Sequence, residues 1–394
     1  AIGALAMDNL TAGDDNIAIG YNTYGAASTA SDNNVIGSNS GRVISSGTRN
    51  NAHGKDTFYY LTTGNHNNAF GHSALQNNVT GSYNTAMGTE SLKLNLAENN
   101  TAFGAYALVA NTTGAQNTAV GSEALAANTT ATANVAVGRL ALTTNTTGTA
   151  NTSVGSFALR YNTTSNDNTA VGYNALNANT TGAQNTAVGK DALDANTTAN
   201  DNVAIGVGAL GTNTTGSYNS AVGNYSLDAS TTGTKNCAFG YAALSDLTTG
   251  AGNCAMGENA GADITTGDNN VAIGMDALRA LSTTFGCVAV GESALKVCTT
   301  GQDNTALGRD AGSGITTGQE NVCLGYAAGT AASPSGNITT GSRNVVLGDN
   351  NISNLYCADT SISSSDSRDK TDVTDFTHGL SWIKELRPVT YRWD

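Results

Sequence analysis

The residue types that do chemistry are sparse in this chain of 394 residues, and few of them are spaced to work together. His53, His66 and His72 lie close in sequence and could meet round a metal ion or a sugar. The plainer alternative is a distorted stretch between Arg49 and Tyr60 with one histidine tolerated in a core column. Acidic corners such as Asp14-Asp15 and Asp268 could face Ca²⁺ but lack the ligand density of a dedicated calcium loop. Six cysteines (Cys237, Cys254, Cys287, Cys298, Cys323, Cys357) all fall in the second half, none in a C-x-x-C or zinc-like pair. They read as reduced core thiols packing like small hydrophobes. Cys237 and Cys254 are expected side by side on adjacent strands, where a disulfide would be strained. Triplets such as Asn111-Thr112-Thr113 fit the glycosylation pattern but read as turn corners. Isolated G-x-x-x-x-G matches have no Lys behind them. Neither a Ser-His-Asp set nor a carboxylate pair can be assembled, so we expect no metal, no cofactor and no metabolic active site.

The elements that would have to position such residues are unusual. Charged residues are 12%, aromatics 6%, Gly 47 and Pro 2, with Ala, Asn, Thr and Gly dominant. So few large apolar residues cannot fill a thick core, and a biased polar chain is often disordered; only regular spacing argues otherwise. The net charge of −13 excludes a basic footprint for nucleic acid and suits the solubility of a long exposed object. No apolar run approaches the ~20 residues of a spanning helix, so no membrane insertion is expected. No signal peptide is visible, and Ala1 begins in mid-repeat, so more of the protein is expected ahead of it.

The spacing is regular. A glycine closes each N-T-A-V-G-like pentapeptide, as at Gly121, Gly138, Gly155, Gly172 and Gly189, seventeen residues apart. One interval, Gly88 to Gly104, is 16, and the last, Gly325 to Gly348, is 23 and contains Pro334. The unit is N-T-A-V-G-x-x-A-L-x-x-N-T-T-G-x-x. It is too short for a helical hairpin and suits one turn of an all-β, parallel β-solenoid (β-roll), with two short strands and two corners. About twenty turns at ~4.8 Å give a rod of roughly 95 Å.

Each column can be read relative to its glycine. Four places before it stands Asn, with Cys287 the one substitution, and stacked Asn can bond turn above turn. Three and one places before it stand β-branched or large apolar residues, which we expect on the inner face. Two places before it stands Ala, expected outward, where small side chains such as Ala119, Ala136, Ala170 and Ala187 would let a sister subunit approach. Four places after it stands Leu (Leu125, Leu159, Leu193), expected to close the thin core from a second strand.

Beyond Gly348 the repeat fades. We divide the chain into a shaft (1–348), a neck (349–364) and a distinct C-terminal segment (365–394). The last holds Ser365-Asp366-Ser367-Arg368-Asp369-Lys370, a short amphipathic helix expected over 375–386, and Leu386-Arg387-Pro388-Val389-Thr390-Tyr391-Arg392-Trp393. It resembles the start of the endosialidase-type intramolecular chaperone found at the end of phage tail fibres and tailspikes. Ser365, Asp366, Arg368 and Lys370 carry the first half of the pattern. Gly379, Leu380, Ile383, Leu386, Pro388, Val389, Tyr391 and Trp393 carry the second. The resemblance implies a chaperone that assembles a homotrimer and then cuts itself off before Ser365, with Ser365 as nucleophile and Lys370 as its base. Such a pair is chemically sound, since a desolvated Lys can deprotonate a hydroxyl. The family's domain is longer than these thirty residues. Separately, Asn202-Val203-Ala204-Ile205-Gly206 resembles the head repeats of trimeric autotransporter adhesins, left-handed β-rolls with a unit shorter than seventeen.

The leading expectation is therefore the trimeric shaft of a viral (bacteriophage) tail fibre, extracellular and part of the virion. It would meet other tail proteins and a host surface receptor, a glycan among the candidates, and show no enzymatic activity apart from self-cleavage. The alternatives are an autotransporter-type bacterial adhesin head and, with less support, a polysaccharide-degrading tailspike, for which no large insertion supplies an acidic groove.

Overall fold

The structure is a computed structural model that describes residues 1–26 and 29–354. It is all-β: twenty three-residue strands, from β1 (Ile17–Ile19) to β20 (Val345–Leu347), with no helix among the described residues. Each strand pairs in parallel with the next in the chain, giving one continuous ladder along a β-solenoid. An isolated bridge from Ile2 to Ile19 extends it by one rung. Register advances by one repeat, as in Thr169↔Thr186, so like residues stack on like. The short interval is absorbed between β5 (Thr85–Met87) and β6 (Thr101–Phe103), which stay in register as Thr85↔Thr101. There the corner loses a residue, and the Ala97 carbonyl takes the bonds from Asn84 and Asn95 that a glycine carbonyl takes in many other coils. The long interval loops out before Ile338, whose N–H returns to the Gly329 carbonyl at 3.0 Å.

The two faces of the strand are the reverse of the sequence expectation. Ala119, Ala136, Ala170 and Ala187 are fully buried inside the coil, and Val120 and Val171 beside them are 38% and 36% exposed. The Ala column is therefore not a surface for a sister subunit. The corner Asn explains the inversion. Asn117 turns inward, where its Oδ1 accepts the backbone N–H of Asn134 (3.0 Å) and its Nδ2 donates to the Ala131 carbonyl (2.9 Å). Side chains alternate along a strand, so an inward residue at the fourth place before the glycine puts the second inward, and the third and first outward.

The wall opposite the sheet also differs from expectation. It is not a second strand. Leu125 does fill the core at 0% exposure, but it has φ 51°, and Glu123 two residues earlier has φ 59°. Left-handed residues alternating with ordinary ones fold this wall into linked turns. Ala124 N–H bonds the Gly121 carbonyl within the coil, while Leu125 N–H reaches Ala141 in the next at 3.0 Å. Backbone groups are thus satisfied without a ladder.

Core volume is balanced coil by coil. Where Leu is replaced by Gly four places after the closing glycine, an Ile stands where the corner Asn would be: Gly41 with Ile44, Gly261 with Ile264, Gly312 with Ile315. The Ile Cδ1 occupies the space, lying 2.9 Å, 3.0 Å and 3.2 Å from where a Cβ on each glycine would sit. That is the complementary packing a close-packed interior requires.

From Asn95 to Asn213 the same corner column forms a second buried amide ladder, as in Asn128 Nδ2 to Asn111 Oδ1 at 2.7 Å. It ends badly: Asn213 Oδ1 and, one coil on, Ser230 Oγ are buried without partners. A Ser is too short to reach back. Ser230→Asn leaves one orphaned polar atom where there are two, and should raise stability by about 1 kcal/mol. Thermal melting checks this; an unchanged or lower midpoint would mean that the ladder end is already satisfied.

Candidate functional site

The residues with chemical potential are held apart by the repeat. His53 lies in the outward column against the Phe70 ring (centroids 5.4 Å), His66 stacks on Tyr83 (5.0 Å), and His72 sits 3.8 Å from an Asp56 oxygen. His53 is therefore a surface residue, not one accommodated in the core. Among the described residues no group of three or more His, Cys, Asp or Glu could hold a metal ion. Of the corner acids, Asp268 has structural work, its Oδ1 accepting the Ala251 N–H at 2.7 Å; at Asp14 it is the backbone N–H that bonds, to Ser31 Oγ at 3.1 Å. Asn111 of the glycosylation-like triplet is fully buried, its Nδ2 bonded to Asn95 Oδ1 at 2.7 Å and to the Gly114 carbonyl at 2.8 Å.

The five described cysteines are free thiols. Cys287, Cys298 and Cys323 are buried as expected, whereas Cys237 and Cys254, paired across two strands, stand on the outward column and are only half-buried. Burial pushes the Cys323 thiol up to about 11 and raises that of Cys237. Cys298 is raised by its hydrogen bond with Cys287 and by burial. Protonated thiols are poor nucleophiles, so Cys237, Cys298 and Cys323 pack rather than react, whereas the same hydrogen bond from Cys298 lowers the Cys287 thiol.

Two surface features stand out on the coils. The first is the outward face of the sheet, where one apolar residue in every coil but that of His53, with most often Thr, Val or Cys two places earlier, forms a stripe from Ile19 to Leu347. The second lies on a coil edge. Tyr60 and Leu94, six places after their glycines, and Val79 and Leu96, eight after theirs, open a 730 Å³ groove where the Thr of the consensus is lost. A 490 Å³ hollow shares Tyr60 and adds Asp8, Asn22, Arg42 and Tyr59, with the Arg42 guanidinium 5.2 Å from the Tyr59 ring centre. Nothing in either sets a nucleophile against a base. The stripe escaped the sequence reading, although the inward Asn was a signal for it; the groove could have been found from the broken corner consensus.

Ser365 and Lys370, the expected 375–386 helix and Cys357 lie outside the described residues. Residues 365–394 match the model of a family described as chaperone of endosialidase, Peptidase_S74. No curated protein and no solved structure matches the chain. A β-solenoid followed by this chaperone-type segment fits a tail-fibre-like structural protein.

Proposed function

We propose that the chain is the shaft of a homotrimeric viral tail fibre, extracellular on the virion, that holds a host-contacting surface away from its base. The observation that carries this reading is the junction itself: one uninterrupted ladder of twenty strands, and beyond its last coil a chaperone-type match at residues 365–394. A ladder of near-identical coils transmits geometry along its length. Its stability is nearly a sum over coils and the contacts between them. The exposed Tyr60 ring beside Asp8, Asn22 and Arg42 supports a glycan as the host-side contact, since a sugar offers an apolar face and hydroxyls together.

The C-terminal segment supplies assembly and then release. The Ser365 hydroxyl adds to the Ser364 carbonyl as its proton passes to Lys370. The Ser365 nitrogen leaves as the amine, and water hydrolyses the resulting ester. Burial on assembly lowers the Lys370 pKa and so couples cutting to correct trimer formation. Once the chaperone is gone, the fibre unfolds slowly, because the factor that assembled it is absent.

Expression of the full gene with the chaperone sequence should give, on a denaturing gel, a fragment beginning at Ser365. Ser365→Ala and Lys370→Ala should each remain full length, a loss of at least a hundredfold in cut product. Wild-type protein that stays uncut in assembled particles would make the segment a permanent cap and remove both residues from any catalytic role.

A further inference from the structure

We infer that the outward stripe of the sheet is the seam along which copies of this chain associate, side by side, parallel and level. The stripe is one column wide at its apolar centre: Phe103, Val120, Val171, Ile205, Phe239 and Met256 are 36% to 45% exposed. Two places earlier stands a Thr, Val, Cys, Ser or Asn, or Ile17 in the first strand, also facing out. Large apolar residues recur there in nearly every coil, although the surface of an isolated coil would tolerate any polar residue. Monomeric proteins rarely leave a contiguous apolar patch larger than a few hundred Å². At roughly 70–100 Å² per coil, this stripe offers on the order of 1,500–2,000 Å² per chain, against the ~800 Å² each partner gives a standard stable interface. The column on one side, that of Asp201 and Lys235, is largely polar; the column on the other, that of Lys190 and Glu258, mixes charged residues with exposed Tyr21, Tyr173, Tyr241, Met275 and Tyr326, which widen the apolar strip there.

The occupant follows from the spacing. The stripe presents an apolar residue at each strand spacing over twenty strands except at His53, and a partner that fills it without slipping must repeat at the same spacing over the same length. A second copy does so by construction. Related by rotation about an axis parallel to the solenoid, each copy sets Val188 against Val188 and Phe239 against Phe239, level by level, and the assembly closes on itself. The antiparallel alternative sets the polar outer residues of the first coils, Asn34, Asn51 and Asn68, against Val288 and Val322 of the last. It therefore loses apolar contact at both ends.

This inference rests on the reading of the chain as a self-assembling shaft, and its test separates the two. The full chain with its chaperone sequence is prepared with Cys237→Ser, Cys254→Ser and Cys357→Ser, which leaves only the three buried thiols. Into it goes either Val188→Cys on the stripe or Thr198→Cys on the exposed corner of the next edge. Cys is native to the outer face at positions 237 and 254, so the stripe variant should fold. Each variant is treated with a short bis-maleimide after its native mass is measured. The expected result is a multimeric native mass and a denatured band of twice the chain mass for Val188→Cys, at least tenfold stronger than for Thr198→Cys. A multimer in which Thr198→Cys cross-links as well, or Val188→Cys does not, places the seam elsewhere and overturns the inference alone. A native mass of one chain overturns the inference together with the self-assembling reading.

Discussion

Ala187→Glu is expected to break the solenoid at β11 (Thr186–Val188), while the same change one residue later, Val188→Glu, leaves the coils folded. Ala187 is fully buried and stacks in register between Ala170 and Ala204. A Glu there finds no cation and no room. An uncompensated charge in such a site costs about 3–5 kcal/mol, with the added volume costing roughly 1–3 more. Because each coil contacts only its neighbours, the damage should appear as a local opening that lowers the melting midpoint and exposes a proteolytic site near residue 187. At Val188 the carboxylate points into solvent in the single chain, so the coil signal in circular dichroism should persist and only association should suffer. If Val188→Glu unfolds the coils and Ala187→Glu does not, the two faces have been assigned the wrong way round.

Gly189→Ala should be as damaging, for a backbone reason. Gly189 has φ 140°, and a Cβ on it would lie 2.3 Å from the Gly206 carbonyl oxygen and 2.6 Å from its carbon. The obstacle is the backbone of the next coil, so relief requires the stack to open at that corner. A strained φ costs of order 1–3 kcal/mol, and a clash with unyielding backbone should bring the total to at least about 3 kcal/mol. Gly336, in the inserted loop, is the control: φ 64°, with nothing within 4 Å of an added Cβ. Gly336→Ala should cost about 1 kcal/mol. Comparing the two melting midpoints checks the argument, and equal shifts would show that coil stacking does not set the glycine requirement.

The C-terminal junction was legible from sequence because short motifs need no fold to be read, and residues 365–394 match the same chaperone family. The coil period was legible too, since each coil is a single rise of the stack and identical residues must fall in identical places. What periodicity of two cannot decide is which face is inward: a slip of one residue exchanges the whole set. Judged by side-chain hydrophobicity, Val120 belongs inside and Ala119 outside, and the structure has them reversed. The interior is too thin for two branched walls. Leu125 fills it from one side, so the other must be Ala, and Asn117 must turn in to bond Ala131 and Asn134. The sequence determined the period, the corners, the parallel stacking and the amide columns, because these follow from local residue types repeated at a fixed interval. Only the tertiary structure decided the inward face, the left-handed turns at Glu123 and Leu125, and the exchange of Leu with Asn for Gly with Ile. Each of these depends on how much space two opposed walls leave between them, a quantity that no single column of residues contains.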